Sequence, residues 1–228
     1  MSDNLHANIE KKYLNTISMV FITCLLTSNL AAIKICEFWG MSLPCGILLF
    51  PLLYVLNDVL TEVYGFTAGR KVVWTALACN LAMSSYLYIA TQFKPSSHSN
   101  NFQAFEIVFS LSPKIFFASM VSYLIGELVN AVIISRLKIK FKGRMFAIRA
   151  IFSTGVGALV ESVIFCAIAF TGVLPVFEIY KMALILTVIK IVYEISVIPI
   201  SVKLVKYLKK VEGIDVFEKP TFKDLLPS

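Results

Sequence analysis

The segment LPCGILLFPLLYVLNDVLTEVY, residues 43–64, decides the fold of this chain. It is apolar over about twenty residues, the length that a helix needs to cross the hydrocarbon core of a bilayer. It nevertheless contains Asn57, Asp58 and Glu62. An ionisable side chain at mid-membrane depth costs about 2.5–3.5 kcal/mol on insertion scales. Acids in such a segment therefore predict a polar interior that several membrane helices share.

The composition of the whole chain also indicates a membrane protein. Of its 228 residues, 58% are hydrophobic and 15% are charged, whereas soluble domains have roughly 45–50% and about 25%. A soluble fold of this size has no core large enough to hide the apolar excess, which excludes most soluble enzymes. We predict an all-α integral membrane protein, one domain over residues 1–228, with the lipid bilayer as its surroundings. Six transmembrane helices are predicted, at about 13–35, 43–64, 72–92, 113–135, 150–172 and 179–203.

The basic residues predict the orientation of these spans. With the N-terminus inside the cell, sixteen of the 21 Lys and Arg residues lie in inside segments, Lys190 lies within a span, and Lys34, Lys94, Lys114 and Lys181 lie outside. Cytoplasmic loops of membrane proteins are enriched in Lys and Arg. Both termini are therefore predicted to be cytoplasmic. The net charge of +7 then reflects topology, and no direct binding of nucleic acid is expected.

The five cysteines lie mostly within apolar segments and lack the spacing of metal ligands. In that setting cysteine acts as a small hydrophobic residue. We expect no metal, no cofactor and no disulfide framework. A bridge between Cys36 and Cys45 at an oxidising face is the alternative.

Nine polar or charged residues of the spans are candidate substrate ligands. Asp58 and Glu62 are four residues apart, so they share a face of the second span. Ser153, Gly157 and Glu161 follow one another at four-residue steps in the fifth span, which predicts a small-residue stripe where another helix approaches closely. The candidates are Asn57, Asp58, Glu62, Glu127, Asn130, Glu161, Lys190, Tyr193 and Glu194.

The charges within the spans predict pairing between helices. Lys190 and Glu194 share a face of the sixth span, but Lys before Glu is the weaker order for a pair within one helix. We therefore expect Lys190 to pair with Glu161 or Glu127. Five acids against one base indicate a ligand that supplies N–H donors or a cation, or acids that carry protons. The alternative is a buried ion-pair network that only fixes helix register.

Several motifs resemble those of one transporter family. The stretch FPLLYVLNDVLTEVYG at 50–65, with Arg70 shortly after it, is similar to the signature of the queuosine precursor transporter family, also called the vitamin uptake transporter family. YLIGELVN at 123–130 and KIVYE at 190–194, followed by Pro199, resemble later motifs of that family. The resemblance covers roughly residues 10–210.

The resemblance implies both a fold and an activity. The fold would be similar to the substrate-binding components of energy-coupling-factor transporters, in a bacterial inner membrane. The activity would be uptake of 7-deazaguanine bases for tRNA modification: the 7-cyano base, the 7-aminomethyl base or queuine. The fifth span has Glu161-Ser162 where the family often carries Asp before Ser or Thr, and the longer acid bears on which 7-substituent is accepted.

A deazaguanine suits the candidate residues chemically. Its ring N–H and amino group lie side by side, so the carboxylate of Glu161 can accept both in a fork. Asn57 or Asn130, together with Lys190, would then meet the carbonyl oxygen, and Asp58 or Glu127 would lie near the 7-substituent. Tyr54, Phe165 and Tyr193 are the candidates for stacking on the ring.

The sequence predicts a transporter and not an enzyme. It has no phosphate-binding loop of the GxxxxGK[ST] type, so a facilitator or a proton-coupled carrier is expected, with a homodimer as one possible state. One alternative is the substrate-binding subunit of an energy-coupling-factor vitamin transporter. Another is a membrane-embedded hydrolase or transferase that uses paired acids, although no nucleophile–base pair supports it.

Overall fold

The computed structural model describes residues 11–32, 34–38, 41–96, 102–109, 113–172 and 175–220. Six of its helices are long and apolar enough to cross a membrane, which confirms the predicted all-α, six-span architecture. The single domain over 1–228 stays a prediction, and its two ends lie outside the described residues. The elements are α1 (Leu14–Ala32), β1 (Ile35–Phe38), β2 (Met41–Pro44), α2 (Phe50–Tyr64), α3 (Phe66–Ala90), α4 (Phe102–Phe109), α5 (Pro113–Lys140), α6 (Phe146–Phe170) and α7 (Val176–Glu212).

Helix α2 lies at the centre of the bundle. It packs against α1, α3, α5 and α7, and every side chain from 53 to 64 is buried. A helix that is apolar on all sides is stable only when it is surrounded in this way. Its few polar residues therefore face other helices and not lipid.

The helix boundaries differ from the predicted spans at the polar ends. Helix α3 begins at Phe66 and not near 72, α5 continues to Lys140, and α7 extends over 37 residues. Hydropathy marks only the part of a helix that lies in hydrocarbon, whereas backbone hydrogen bonds continue into the charged segments beyond it. Only Gly65 separates α2 from α3, at a φ of +91° that favours glycine.

A disulfide closes a β-hairpin between α1 and α2. Strands β1 and β2 pair antiparallel, and Cys36 is bonded to Cys45 with their Cα atoms 5.7 Å apart. The expectation of no disulfide is therefore wrong, and the alternative bridge is the one observed. The pairing of β1 with β2 brings together two cysteines that are nine residues apart in sequence, and the amino-acid composition does not reveal this contact. We call this end of the bundle the hairpin end.

Glycines allow α5 and α6 to pack closely. A β-carbon on Gly157 would lie 2.9 Å from the backbone oxygen of Gly126 and 2.9 Å from Cβ of Asn130, and one on Gly126 would lie 2.6 Å from Cβ of Glu161. The predicted small-residue stripe is confirmed. The close approach brings the polar residues of the two helices into one layer.

Candidate functional site

Buried polar side chains from α2, α5, α6 and α7 form one group at the middle of the bundle, which we call the polar cluster. None of its members is more than 5% exposed. Seven of the nine predicted ligands belong to it; Glu62 and Tyr193 do not. The cluster consists of Tyr54, Asn57, Asp58, Glu127, Asn130, Glu161, Lys190 and Glu194.

Glu161 on α6 is the acid in this cluster that has a cationic partner. The ammonium of Lys190 lies 2.6 Å from Oε2 of Glu161, so the predicted pairing across helices is confirmed. The hydroxyl of Tyr54 donates a hydrogen bond to the same oxygen. The ammonium also lies 5.3 Å from the ring centre of Phe50 and 5.7 Å from that of Tyr54, within the range of cation–π attraction.

Two amide–carboxylate pairs join α2 to α5. The side-chain nitrogen of Asn57 donates to Oε2 of Glu127 over 2.5 Å, and that of Asn130 donates to Oδ1 of Asp58 over 2.7 Å. Each amide group thus donates one N–H to an acid on the other helix. The pairs link α2 to α5 and leave the other side-chain oxygen atoms of these residues buried without a partner among the described residues.

The cluster contains more hydrogen-bond acceptors than donors to satisfy them. Among the described residues, one oxygen of Asp58, one of Glu127 and both of Glu194 have no hydrogen-bond partner, and neither do the amide oxygens of Asn57 and Asn130. Buried acceptors without partners are rare and costly in proteins. Their concentration here is typical of a site that receives donors from a ligand or from bound protons.

Glu62 lies one helical turn from Asp58 and belongs to a different set of contacts, at the end of the bundle that holds the N-terminus of α1. Arg149 donates to its two carboxylate oxygens over 2.7 and 3.0 Å. The ammonium groups of Lys209 and Lys138 lie 2.6 and 4.0 Å from it. We call this the basic end, and the four residues the basic-end network. The alternative of a structural ion-pair network describes Glu62 well.

The cations of this network were predicted to lie in inside segments and were not among the predicted ligands. Arg149 is fully buried and Lys138 is 2% exposed. A signal for Arg149 was present, because it precedes Ser153 by four residues and so continues the stripe of Ser153 and Gly157. For Lys138 we find no such signal.

The segment 213–220, which we call the strap, crosses the basic end after α7. The carboxylate of Asp215 lies 2.6 Å from the ammonium of Lys138 and 2.9 Å from that of Lys209. Burial opposes ionisation of Asp215, but hydrogen bonds from the two lysines outweigh it and lower its pKa. Glu218 accepts a hydrogen bond from the backbone N–H of Thr67 over 2.7 Å, in the first turn of α3.

Tyr193 lies at the edge of the polar cluster. Its side chain is half-buried and interacts with Cys24 on α1 and with Glu194 on its own helix. Three buried hydroxyl groups were not among the predicted ligands, since single polar residues in an apolar helix give no distinctive pattern. The hydroxyls of Tyr123, Thr154 and Ser162 are buried and have no hydrogen-bond partner within the described structure.

Openings near both ends of the bundle are lined by residues outside the polar cluster. A narrow crevice near the hairpin end is lined by Phe50, Asn80 and Tyr123, among others. A cavity of about 420 Å³ at the basic end lies between α1 and α3, with Lys11 and Lys71 on its walls. The cluster itself is enclosed by helices, with every member at most 5% exposed.

Comparisons with known proteins place this chain in a transporter family. Residues 44–204 match a family model described as "Putative vitamin uptake transporter". A "Probable queuosine precursor transporter" of Bacillus subtilis (strain 168) is 27% identical over 149 residues, which cover 65% of this chain and 65% of the relative. A protein of the same description from Haemophilus influenzae (strain ATCC 51907 / DSM 11121 / KW20 / Rd) is 23% identical over 148 residues, 64% of this chain and 59% of that relative. No solved structure matches the chain, so the expected similarity to energy-coupling-factor components stays a prediction.

Proposed function

Because this chain belongs to the vitamin uptake transporter family and is a multi-pass membrane transporter, we propose that it imports 7-deazaguanine bases for tRNA modification. Two relatives carry the description of queuosine precursor transporters. The matched segment spans less than two thirds of the length of each. The substrate assignment therefore depends mainly on the chemistry of the polar cluster.

The observation that carries the proposal is the surplus of buried acceptors. The amide nitrogens of Asn57 and Asn130 already donate to acids, whereas oxygen atoms of Asp58, Glu127 and Glu194 have no donor among the described residues. A 7-substituted deazaguanine brings a ring N–H, a pyrrole N–H and an amino group, and it has a substituted carbon where guanine has the acceptor N7. Such a base supplies donors where the protein supplies acceptors.

Glu161 is the residue that we assign to the recognition edge of the base. Its carboxylate can accept the ring N–H and the amino group side by side, as carboxylates accept a guanidinium. Without substrate, the charge of Glu161 is met by Lys190 and by the hydroxyl of Tyr54. With substrate, the Lys190 ammonium is close enough to donate to the carbonyl oxygen of the base. Asp58 and Glu127 then remain for the 7-substituent.

The disulfide supports the predicted orientation of the transporter. Cys36 and Cys45 are bonded at the hairpin end, and disulfides persist in the oxidising periplasm and not in the cytosol. Cations such as Lys140 and Arg144 lie at the opposite end, where the positive-inside rule expects cytoplasm. We infer that bases enter from the hairpin end and leave at the basic end.

Uptake of labelled base tests the proposal. The chain is produced in a bacterium that can neither synthesise nor import deazaguanines, and uptake of the 7-cyano base, the 7-aminomethyl base and queuine is measured. At least one base should accumulate above the empty-vector control. Failure of all three, with the protein in the membrane, would refute the proposed function.

The variant Glu161→Gln tests the assigned ligand. Hydrogen bonds to a charged group contribute about 1.5–3 kcal/mol, so initial uptake at low substrate concentration should fall about tenfold or more. The matched control is Glu178→Gln, because that side chain is exposed in the first turn of α7. Normal uptake by Glu161→Gln would remove Glu161 from the site.

A further inference from the structure

The charges of the polar cluster do not balance. It holds four acids, Asp58, Glu127, Glu161 and Glu194, and one base, Lys190, all at most 5% exposed. The ammonium of Lys190 forms an ion pair with Glu161 at 2.6 Å. Within the described part of the chain, the other three acids form no ion pair. If all three were ionised, the centre of the bundle would carry three uncompensated negative charges.

Glu194 is the least satisfied of these acids. Asp58 and Glu127 each accept one amide hydrogen bond, but neither carboxylate oxygen of Glu194 has a partner in the described structure. Its side chain is 1% exposed, so bulk water does not supply the missing donors. An isolated buried carboxylate is stable only when it is neutral or binds a cation.

The groups around Glu194 sharpen this conclusion. Negative charge on Asp58 and on Glu127 repels that on Glu194. Lys190 is on the same face of α7 one turn earlier, but its ammonium is directed to Glu161. The titratable groups that we find on the surrounding elements are Asp58 and Glu62 on α2, Glu127 on α5, Glu161 on α6, and Lys190 and Tyr193 on α7.

A proton is the cation that fits this position. No group of three His, Cys, Asp or Glu side chains among the described residues is arranged to hold a metal ion. A proton needs only one carboxylate oxygen as its base and one acceptor for the resulting O–H. The oxygen of Asp58 that has no partner among the described residues can serve as that acceptor across the contact between α2 and α7.

We propose that Glu194, with Asp58 as its partner, is the proton-binding site that couples this carrier to the proton gradient. The inference rests on the proposed uptake function and assigns its driving ion. A proton from the hairpin side binds Glu194 and makes the cluster less negative, so that the loaded bundle can close around the substrate. When the basic end opens, the proton leaves to water on that side and Glu194 becomes a carboxylate again.

Purified protein in proteoliposomes tests this assignment. The base that the wild type transports best is supplied outside, either with an inward proton gradient or with an equal pH and unlabelled base inside. The measured quantity is the ratio of gradient-driven accumulation to counterflow. In Glu194→Gln this ratio should fall at least tenfold, while Glu194→Asp should retain most of it. Glu178→Gln is the matched control.

Several outcomes would overturn the inference. An unchanged ratio in Glu194→Gln would show that the coupling proton is elsewhere. Accumulation driven by a sodium gradient at equal pH would show that the coupling ion is sodium and not a proton. Absence of wild-type counterflow with every deazaguanine would instead refute the proposed function, so the two failures are distinguishable.

An infrared measurement keeps the inference testable if Glu194→Gln does not transport. Protonated carboxylic acids have a C=O stretching band that shifts in D₂O and is lost on ionisation. The wild type at neutral pH should show this band, and Glu194→Gln should reduce it, whereas Glu178→Gln should not. An identical band in wild type and Glu194→Gln would mean that Glu194 carries no proton.

Discussion

Arg149 offers a direct test of the basic-end network. Its side chain is fully buried and donates to both oxygens of Glu62 over 2.7 and 3.0 Å. It also donates to the backbone oxygens of Arg144 and Gly143 over 2.9 and 3.3 Å. The change Arg149→Gln removes the charge and the fork of donors while leaving a polar side chain of smaller but comparable reach.

The contacts of Glu62 determine the size of the effect. Removing one partner of a buried ion pair costs about 3–5 kcal/mol, because it leaves the other charge buried. Glu62 keeps Lys209 at 2.6 Å and Lys138 at 4.0 Å, and these ammonium groups offset part of the loss. We therefore expect Arg149→Gln to lower the free energy of unfolding by about 3 kcal/mol, a change of more than about a hundredfold in the unfolding equilibrium.

Unfolding in mixed micelles with increasing SDS, followed by tryptophan fluorescence, measures this quantity. The matched control is Arg144→Gln, whose side chain is exposed and whose effect should stay within about 0.5 kcal/mol. The double variant Arg149→Gln with Glu62→Gln should recover part of the stability, since the buried charge is then gone. An Arg149→Gln protein as stable as the control, or a double variant whose losses are simply additive, would refute the reasoning.

Three further predictions concern packing, the disulfide and the strap. Gly126→Ala should lower uptake severalfold, because the new β-carbon would lie 2.6 Å from the β-carbon of Glu161 on α6. The control Gly155→Ala should leave uptake unchanged, because its β-carbon would meet only ordinary contacts from 3.6 Å. Equal effects of the two variants would contradict the packing argument. Cys36 should react with a membrane-impermeant maleimide on intact cells only after reduction, as measured by a mass shift; labelling without reductant would argue against the bridge. The pKa of Asp215 is held below its ordinary 3.8, so its contribution to strap docking is complete above that pH and is lost as the pH falls through the lower value. A spin label on Lys219→Cys should thus be immobile at pH 7 and mobile at strongly acidic pH, and Asp215→Asn should be mobile at both; a pH-independent label in the parent protein would exclude this role.

Hydropathy was sufficient to predict the six helices and the burial of their acids. The segment 43–64 is too apolar to be stable on a water-exposed surface, and its acidic side chains are too costly to expose to lipid. Its acids must therefore face other helices. The order of Lys190 and Glu194 on one helix also predicted correctly that the lysine pairs with another helix. These inferences succeed because they depend on residues that are close in sequence.

The division of the acids into two groups was not predictable in the same way. Asp58 and Glu62 share one face of α2, yet Asp58 pairs with Asn130 and Glu62 pairs with Arg149. One helical turn, about 5.4 Å, is enough to place neighbouring acids opposite different partners. Which partner each acid meets depends on the relative height of α2, α5 and α6, and a single sequence does not contain that quantity.

The amino-acid order alone therefore accounts for membrane insertion, the number of spans and the presence of charges among them, since the transfer of each segment from water to lipid is a local property of its side chains. The folded bundle alone accounts for the cysteine bridge at Cys36, the strap held by Asp215 and the acid at Glu194, which has no hydrogen-bond partner in the described part of the chain. Each of these features depends on contacts between residues that are far apart in sequence. Such contacts form only when the whole chain folds, because the packing of every helix then determines the position of the others.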